Sequence, residues 1–154
     1  MQHLRLCYSK LGAARFASHR DFSRAFERAL RRAGVPMAHS SGFSPHPCIS
    51  YANSAPTSAA SHAEYVDIAV LEVLDPERVR EELNAALPAG FRVLRVVERR
   101  RPPLSELLQV SDWVIDLGED RTLRLGRAVD ELLAARSVEV SRVTRKGERT
   151  FDAR

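Results

Sequence analysis

Polar and apolar residues alternate along the first two thirds of the chain with two different periods. A period of two predicts strands at residues 3–9 and 64–74, and a third strand is predicted at 91–97. A period near 3.6 predicts a helix that begins after Ser18 and ends before Gly34, with one apolar stripe facing a core. Ser18 is the predicted N-cap of this helix, and an aspartate three residues later takes the place of glutamate in a capping box.

A second helix is predicted to begin after Asp75, because aspartate caps helix N-termini and Pro76 suits the first helical position. A short strand is predicted at 48–52. The resulting order is β-α-β-β-α-β, which is the split βαβ arrangement of ferredoxin-like folds. We therefore expect an α+β protein with antiparallel sheets.

The pattern then begins again after a charged, proline-containing stretch. The predicted elements are a strand at 112–117, a helix at 123–135, a strand at 137–144, a turn at Lys146–Gly147 and a strand at 149–152. This β-α-β-β order is an incomplete ferredoxin-like unit. Either a further C-terminal segment completes it, which we favour, or it completes itself on the first unit.

These patterns predict three parts of the chain. They are a ferredoxin-like βαββαβ unit at 1–98, a linker at 99–110, and a second, partial ferredoxin-like βαββ unit at 111–154.

Composition excludes several classes of protein. The 154 residues are 44% apolar and 29% charged, as in soluble globular proteins. No stretch is apolar enough to span a bilayer and the first residues lack a signal-peptide pattern, so we expect a cytoplasmic protein that does not bind membranes. Two cysteines, Cys7 and Cys48, are too few for a disulfide scaffold. The formal net charge is +4, from 22 arginines and 2 lysines among the basic residues.

The first helix concentrates this positive charge. At about 100° per residue, five arginines fall within about a third of its circumference, opposite the apolar stripe. They are Arg20, Arg24, Arg28, Arg31 and Arg32. Like charges four residues apart cost a few tenths of a kcal/mol, roughly, so folding does not favour the row. A phosphate backbone would neutralise it. The alternative is a solvated helix face in a protein from a GC-rich genome.

A long uncharged segment, residues 33–63, follows this helix. Segments of this length with little regular structure are often functional. Within it, Ser41, Gly42, Phe43 and His46 are predicted to form a pocket loop whose backbone N–H groups would bind an anion. A purely structural Ω-loop is the alternative. The aromatic residues that would stack with bases nearby, or else belong to the core, are Tyr8, Phe16, Phe43 and Tyr51.

The histidines give the candidate catalytic groups. If the protein is an enzyme, His19 or His46 would act as a general base in RNA cleavage. The more common alternative is a histidine that only holds a loop in place. The spacing of histidines and cysteines does not match a metal site, so no metal or other cofactor is predicted. Glu64 and Asp67 lie three apart on a strand and therefore face opposite sides.

Three motifs resemble a known family. They are the segments 15–21 (RFASHRD), 28–36 (RALRRAGVP) and 41–47 (SGFSPHP), and the similarity continues to residues 144–147 (TRKG) and 152–154 (DAR). Together they look like the radical-SAM-linked domain of unknown function, which occurs alone or fused to cobalamin-binding radical SAM proteins. Ser44 stands where the family pattern has asparagine, and Ser58 where it favours glycine.

The resemblance implies that the protein works beside a radical SAM enzyme. Genes of the resembled family are frequently neighbours of ribonuclease and ribosomal-protein genes, which implies a role with RNA. An iron–sulfur cluster would belong to the partner, since this chain has too few cysteines to ligate one. We therefore expect a non-catalytic module that binds RNA or a ribonucleoprotein and works with a radical SAM enzyme or a ribonuclease. Two alternatives remain open: a metal-independent endoribonuclease of the CRISPR-processing kind, and a protein–protein adaptor.

Overall fold

The first six regular elements follow one another in the predicted order. The computed structural model describes residues 1–52, 54–100, 102–116, 118, 122–145 and 147–153. The elements are β1 at Gln2–Lys10, α1 at His19–Arg32, β2 at Ile49–Tyr51, β3 at Ser61–Val70, α2 at Pro76–Ala86 and β4 at Phe91–Glu98. A 3-10 helix, Gly12–Phe16, precedes α1.

The four strands form one antiparallel sheet in the order β2-β3-β1-β4. Each helix therefore joins two strands that are separated by a third strand, which is the split βαβ arrangement. The register pairs Tyr8 with Glu64 and Arg5 with Asp67. The predicted α+β class is confirmed, and so is the expectation that Glu64 and Asp67 face opposite sides of the sheet.

The core lies between one face of this sheet and the two helices. Leu4, Leu6 and Ile68 are at most 1% exposed on the sheet side, and Phe26 is 1% exposed on α1. Burying a side chain of this size contributes about 1.5–3 kcal/mol. The ring of Tyr8 stacks on that of Phe22 with centroids 4.1 Å apart, so this tyrosine belongs to the core.

The strand predicted at 64–74 ends earlier than its pattern indicated. β3 ends at Val70, and the amide of Leu71 donates instead to the carbonyl of Pro36 at 2.8 Å. Pro36 follows α1 at the point where the chain returns to the sheet. The next residue, Met37, forms an isolated β-bridge with Val70. The chain beyond Val70 therefore leaves the ladder because residue 71 pairs with this returning segment.

Residues 99–110, the predicted linker, fall within the first compact unit, Met1–Val110. They contain a one-turn helix, α3, at Leu104–Leu107. Leu104 is 7% exposed, and the carbonyl of Pro102 accepts a hydrogen bond from Arg5 Nη2 at 3.5 Å. Arg5 lies on the sheet face opposite the core, so this segment packs on that face.

The second unit, Ser111–Arg154, contains α4 at Thr122–Ala134 and an antiparallel hairpin of β5, Glu139–Thr144, and β6, Gly147–Asp152. The predicted strand at 112–117 is wrong over residues 112–116, which have no regular structure. A strand needs a ladder partner, and β5 and β6 pair only with each other in the described part of the unit. Leu117, the last residue of that predicted strand, lies outside the described residues. So do Lys146 of the predicted turn and Arg154 of the last motif.

Apolar side chains of this second unit remain exposed. Val129, Leu132 and Leu133 of α4 are 41%, 45% and 63% exposed. In the parts of both units that the structure describes, no helix has the length and apolar character needed to cross a membrane.

Candidate nucleic-acid interface

Helix α1 carries the basic face, and its first residues explain why it begins where it does. Ser18 caps the helix: its side chain accepts a hydrogen bond from the amide of Asp21, and the Asp21 carboxylate accepts from the Ser18 amide. This is the predicted capping box with aspartate in place of glutamate. The hydrogen bond from the Ser18 hydroxyl lowers the pKa of Asp21, and the charges of Arg24 and Arg20 add a smaller effect.

The five arginines of the predicted row are all exposed. Their positions on α1 are opposite its buried residues Phe22, Ala25, Phe26, Ala29 and Leu30. Within the described residues none of the five arginines forms an ion pair, in contrast to the arginines of α2. There Arg78 Nε lies 2.7 Å from Glu82 Oε1, and Arg80 pairs with Glu77. The guanidinium groups of the α1 row are therefore available to an anionic partner.

A second side of α1, which begins at His19, faces the edge strand β2. The Nδ1 atom of His19 is 2.7 Å from the hydroxyl oxygen of Ser54. The imidazole also meets the ring of Tyr51 edge-on, with centroids 4.9 Å apart. His19 itself is exposed, so both a loop-holding role and a chemical role are compatible with its position.

The phenol oxygen of Tyr51 is shielded from solvent and has no hydrogen-bond partner in the described structure. The hydroxyl of Ser23, on the next turn of α1, donates instead to the carbonyl of His19 at 2.9 Å. Burial raises the pKa of Tyr51, the nearby Ser23 hydroxyl lowers it, and the charge of Glu27 raises it by a smaller effect. This buried hydroxyl was not predicted as a site feature, and the sequence carries no signal for it beyond an aromatic residue in a short strand.

The predicted pocket loop is a small hairpin at the sheet edge. The amide of Ser40 donates to the carbonyl of His46 at 2.8 Å, and the amide of His46 donates to the Ser40 hydroxyl at 3.0 Å. Ser41, Gly42, Phe43 and His46 are all exposed. Phe43 thus presents its whole ring to solvent, as Phe16 does in part, at 56% exposed.

The two candidate histidines lie toward opposite ends of β3. Ser54, the partner of His19, is held near one end of β3, because the amide of the next residue, Ala55, donates to the Glu64 carboxylate at 2.9 Å. The His46 hairpin is fixed where the amide of Ala38 donates to the carbonyl of Ala69 at 2.9 Å. Five residues of strand separate these anchors, which is about 16 Å. Among the described residues, no hydrogen bond or ring contact joins the hairpin to the arginine row.

A charged cluster on the other face of the sheet was missed by the sequence reading. The guanidinium of Arg5 binds both oxygens of Asp67, with Nε to Oδ1 at 2.8 Å and Nη2 to Oδ2 at 3.0 Å. Arg99 Nε lies 3.6 Å from Oδ2. The signal available in the sequence was a carboxylate inside an otherwise apolar strand, since such groups are buried only when paired.

No group of three or more histidine, cysteine or acidic side chains suited to a metal ion occurs in the described residues. Cys7 and Cys48 are free thiols, and burial raises the pKa of Cys7. The residues placed together at α1 therefore offer cationic, hydroxyl and imidazole groups.

The sequence also matches the model of a known protein family. Residues 3–154 match the family model described as an uncharacterized protein conserved in bacteria, DUF2344. No curated protein matches the chain.

Proposed function

The chain belongs to the DUF2344 family of uncharacterized bacterial proteins, and because that description names no activity, we propose from its surface chemistry that it binds RNA or a ribonucleoprotein. In this proposal the α1 arginines hold phosphate groups. The module itself is not catalytic and brings its RNA to an enzyme that modifies or processes it.

The observation that carries the proposal is the contrast between two helices of one unit. Both contain several arginines, yet α2 pairs Arg78 and Arg80 with its own glutamates, whereas the α1 arginines form no ion pair with any residue that the structure describes. A row of like charges is unfavourable in the free protein. Phosphate oxygens would relieve that repulsion, and the forked guanidinium suits them better than an ammonium group would.

The identity of the enzyme partner rests on the sequence motifs. The resemblance to the radical-SAM-linked domain supports a radical SAM protein as the partner, and a ribonuclease is the second choice. Any iron–sulfur cluster would then be held by the partner.

The proposal is tested by fluorescence anisotropy with a labelled, structured RNA. We expect Arg24→Gln and Arg28→Gln each to weaken binding about tenfold, since a hydrogen bond to a charged group contributes about 1.5 kcal/mol. Arg78→Gln and Arg80→Gln remove the same charge from α2 and serve as the matched control, with little expected effect. Equal losses in both pairs, or no affinity for RNA in the parent protein, would contradict the proposal.

A metal-independent endoribonuclease is a second candidate, and the position of His19 favours it. The imidazole is exposed and precedes Arg20 in the chain, and Ser54 lies against its Nδ1; when Nδ1 carries the proton, Nε2 can take one from a ribose 2′-hydroxyl. Incubating labelled RNA with the protein in EDTA tests this candidate. Cleavage that is lost in His19→Ala but kept in His46→Ala would support the enzyme; no cleavage would support the binding module.

A further inference from the structure

A cavity lies on the sheet face opposite the helices, beneath α3. Its volume is about 240 Å³, and it is bounded by residues 50–52, by Asp67 of β3, by Arg99 and by residues of the 103–108 segment. An apolar cavity of about 150 Å³ is large enough to hold benzene. This cavity therefore has room for a ring system rather than only for an ion.

The floor of the cavity is polar. Asp67 is 5% exposed, and the Arg5 fork takes one lone pair of each of its oxygens. An ionised carboxylate has about four acceptor positions, so capacity remains for a further N–H donor. Arg99 is one-third exposed and lies beyond hydrogen-bond distance of Asp67, at 3.6 Å, so its guanidinium retains donors for a ligand.

The opposite wall is apolar with a polar rim. Leu104, Leu108 and Pro103 of the 99–108 segment line it. The hydroxyl-bearing residues Ser50 and Ser105 stand at the rim and are exposed. Polar groups that converge opposite an apolar wall are typical of a ligand pocket.

We propose that this cavity binds a single unpaired nucleobase. A base has apolar faces, which match Leu104 and Leu108, and a polar edge with both donors and acceptors, which matches Asp67 and Arg99. The carboxylate accepts from a ring or amino N–H of the base, and Arg99 donates to a ring nitrogen or carbonyl. This inference rests on the proposed RNA binding and adds to it a second contact, away from α1.

The charge balance favours a base over a simple ion. Arg5 already neutralises Asp67, so a cation gains little there. A small anion would meet Arg99 but also the Asp67 carboxylate and an apolar wall. Arg5 and Arg99 carry one more positive charge than Asp67, and Arg99, one-third exposed, keeps its charge in contact with water, so a neutral ring with a polar edge leaves no fully buried charge unpaired.

The test uses saturation-transfer difference NMR with the four nucleoside 5′-monophosphates and the full chain. We expect base protons to receive more saturation than ribose protons, because the base enters the cavity. Saturation confined to the ribose, or equal for ribose phosphate alone, would overturn the proposal.

Variants locate the site. Ser105→Phe places a ring at the mouth of the cavity and should abolish the base signal, whereas Glu106→Phe, on the neighbouring exposed position, should keep it. Arg99→Gln should weaken nucleotide binding about tenfold, by loss of one charge-assisted hydrogen bond. Unchanged base signals in both Ser105→Phe and Arg99→Gln would place the ligand elsewhere and refute the inference.

The same variants separate this inference from the proposed function. Arg24→Gln with Arg28→Gln should lower RNA affinity while leaving the base signal of the monophosphates intact. If RNA binding depends on α1 but monophosphates show no base signal, the cavity proposal fails alone. If the base signal is present and RNA binding is indifferent to the α1 arginines, the phosphate role of α1 fails alone.

Discussion

Ser58 has a backbone conformation that side-chain-bearing residues avoid. Its φ is +80°, and it is the one described non-glycine residue with a positive φ. Its amide donates to the carbonyl of Arg15 at 2.8 Å, which ties the loop before β3 to the 3-10 helix. The family pattern that the sequence resembles favours glycine here. The positive φ gives a physical reason for that preference, since glycine adopts this region without steric cost.

We expect Ser58→Gly to raise the free energy of unfolding by about 0.5 kcal/mol. The left-handed conformation costs an L-residue about 1–2 kcal/mol, and the greater entropy of unfolded glycine offsets about 0.5–1 kcal/mol of the gain. Urea unfolding followed by circular dichroism measures the change. Ala59→Gly is the control, because Ala59 lacks the positive φ and should lose stability. A loss in Ser58→Gly as large as in Ala59→Gly would contradict the explanation.

Single residues also show which properties can be predicted from the sequence and which depend on tertiary structure. The period of two correctly separated Glu64 from Asp67 onto opposite faces, because that property follows from the strand alone. The partners of Asp67 depended on tertiary structure. Arg5 is its neighbour only through the β1–β3 register, and Arg99 approaches only because β1 also pairs with β4, where the amide of Arg99 donates to the carbonyl of His3 at 2.8 Å.

At the scale of elements, α1 was predictable almost in full. Its cap, its apolar stripe and its C-terminal stop are all local in sequence, and the arginine row follows from the same periodicity. Strand limits were less predictable, because a strand depends on its neighbour. The apolar residues beyond Val70 predicted a strand through residue 74, yet the ladder ends at Val70, where the segment after α1 takes over the pairing. Residues 112–116 contain a run of three apolar residues that is typical of a strand, but nothing described pairs with them.

The capping box of α1 predicts how stability responds to acid. The pKa of Asp21 is lowered in the folded protein, chiefly by its hydrogen bond from the Ser18 hydroxyl. A carboxylate whose folded pKa lies below the unfolded one stabilises the fold above the unfolded pKa. That contribution is lost as the pH falls through the folded pKa. We therefore expect Ser18→Ala to cost about 1 kcal/mol at neutral pH, the usual value of an N-cap, and less in acid.

Urea unfolding of the parent and of Ser18→Ala at neutral pH and at about pH 3 measures this effect, with carbon-detected NMR to follow the Asp21 carboxyl. The pKa of Asp21 should move up toward its ordinary value in the variant. Ser23→Ala is the matched control, because its hydroxyl donates to the His19 carbonyl and takes no part in the box. A difference between parent and Ser18→Ala that is the same at both pH values would argue against a charged partner in the cap.

At the scale of the whole molecule, the first unit presents different chemistry on its two sides. The α1 arginines project from the helix layer, and the cavity under α3 lies on the other face of the same sheet. An RNA that used both would have to pass around a sheet edge. Near the β2 edge lie His19 of α1, Tyr51 and Ser54, the imidazole and hydroxyl groups described above. In the proposed interaction, phosphate contacts at α1 and a base contact beneath α3 would therefore be two separable terms.

The salt dependence of the proposed RNA binding would measure the phosphate contacts at α1 separately from the base contact. With a single-stranded RNA as the ligand, the slope of log affinity against log salt concentration is about −0.7 per phosphate neutralised, so full use of the α1 row predicts a slope of about −3.5. Removing two of its arginines, as in Arg24→Gln with Arg28→Gln, should reduce the magnitude by about 1.4. Arg99→Gln should lower affinity and reduce the slope less, because its proposed contact is to a base. A slope that the α1 variants leave unchanged would mean that the phosphates bind elsewhere on the protein, and the unpaired arginines would then be a solvated helix face.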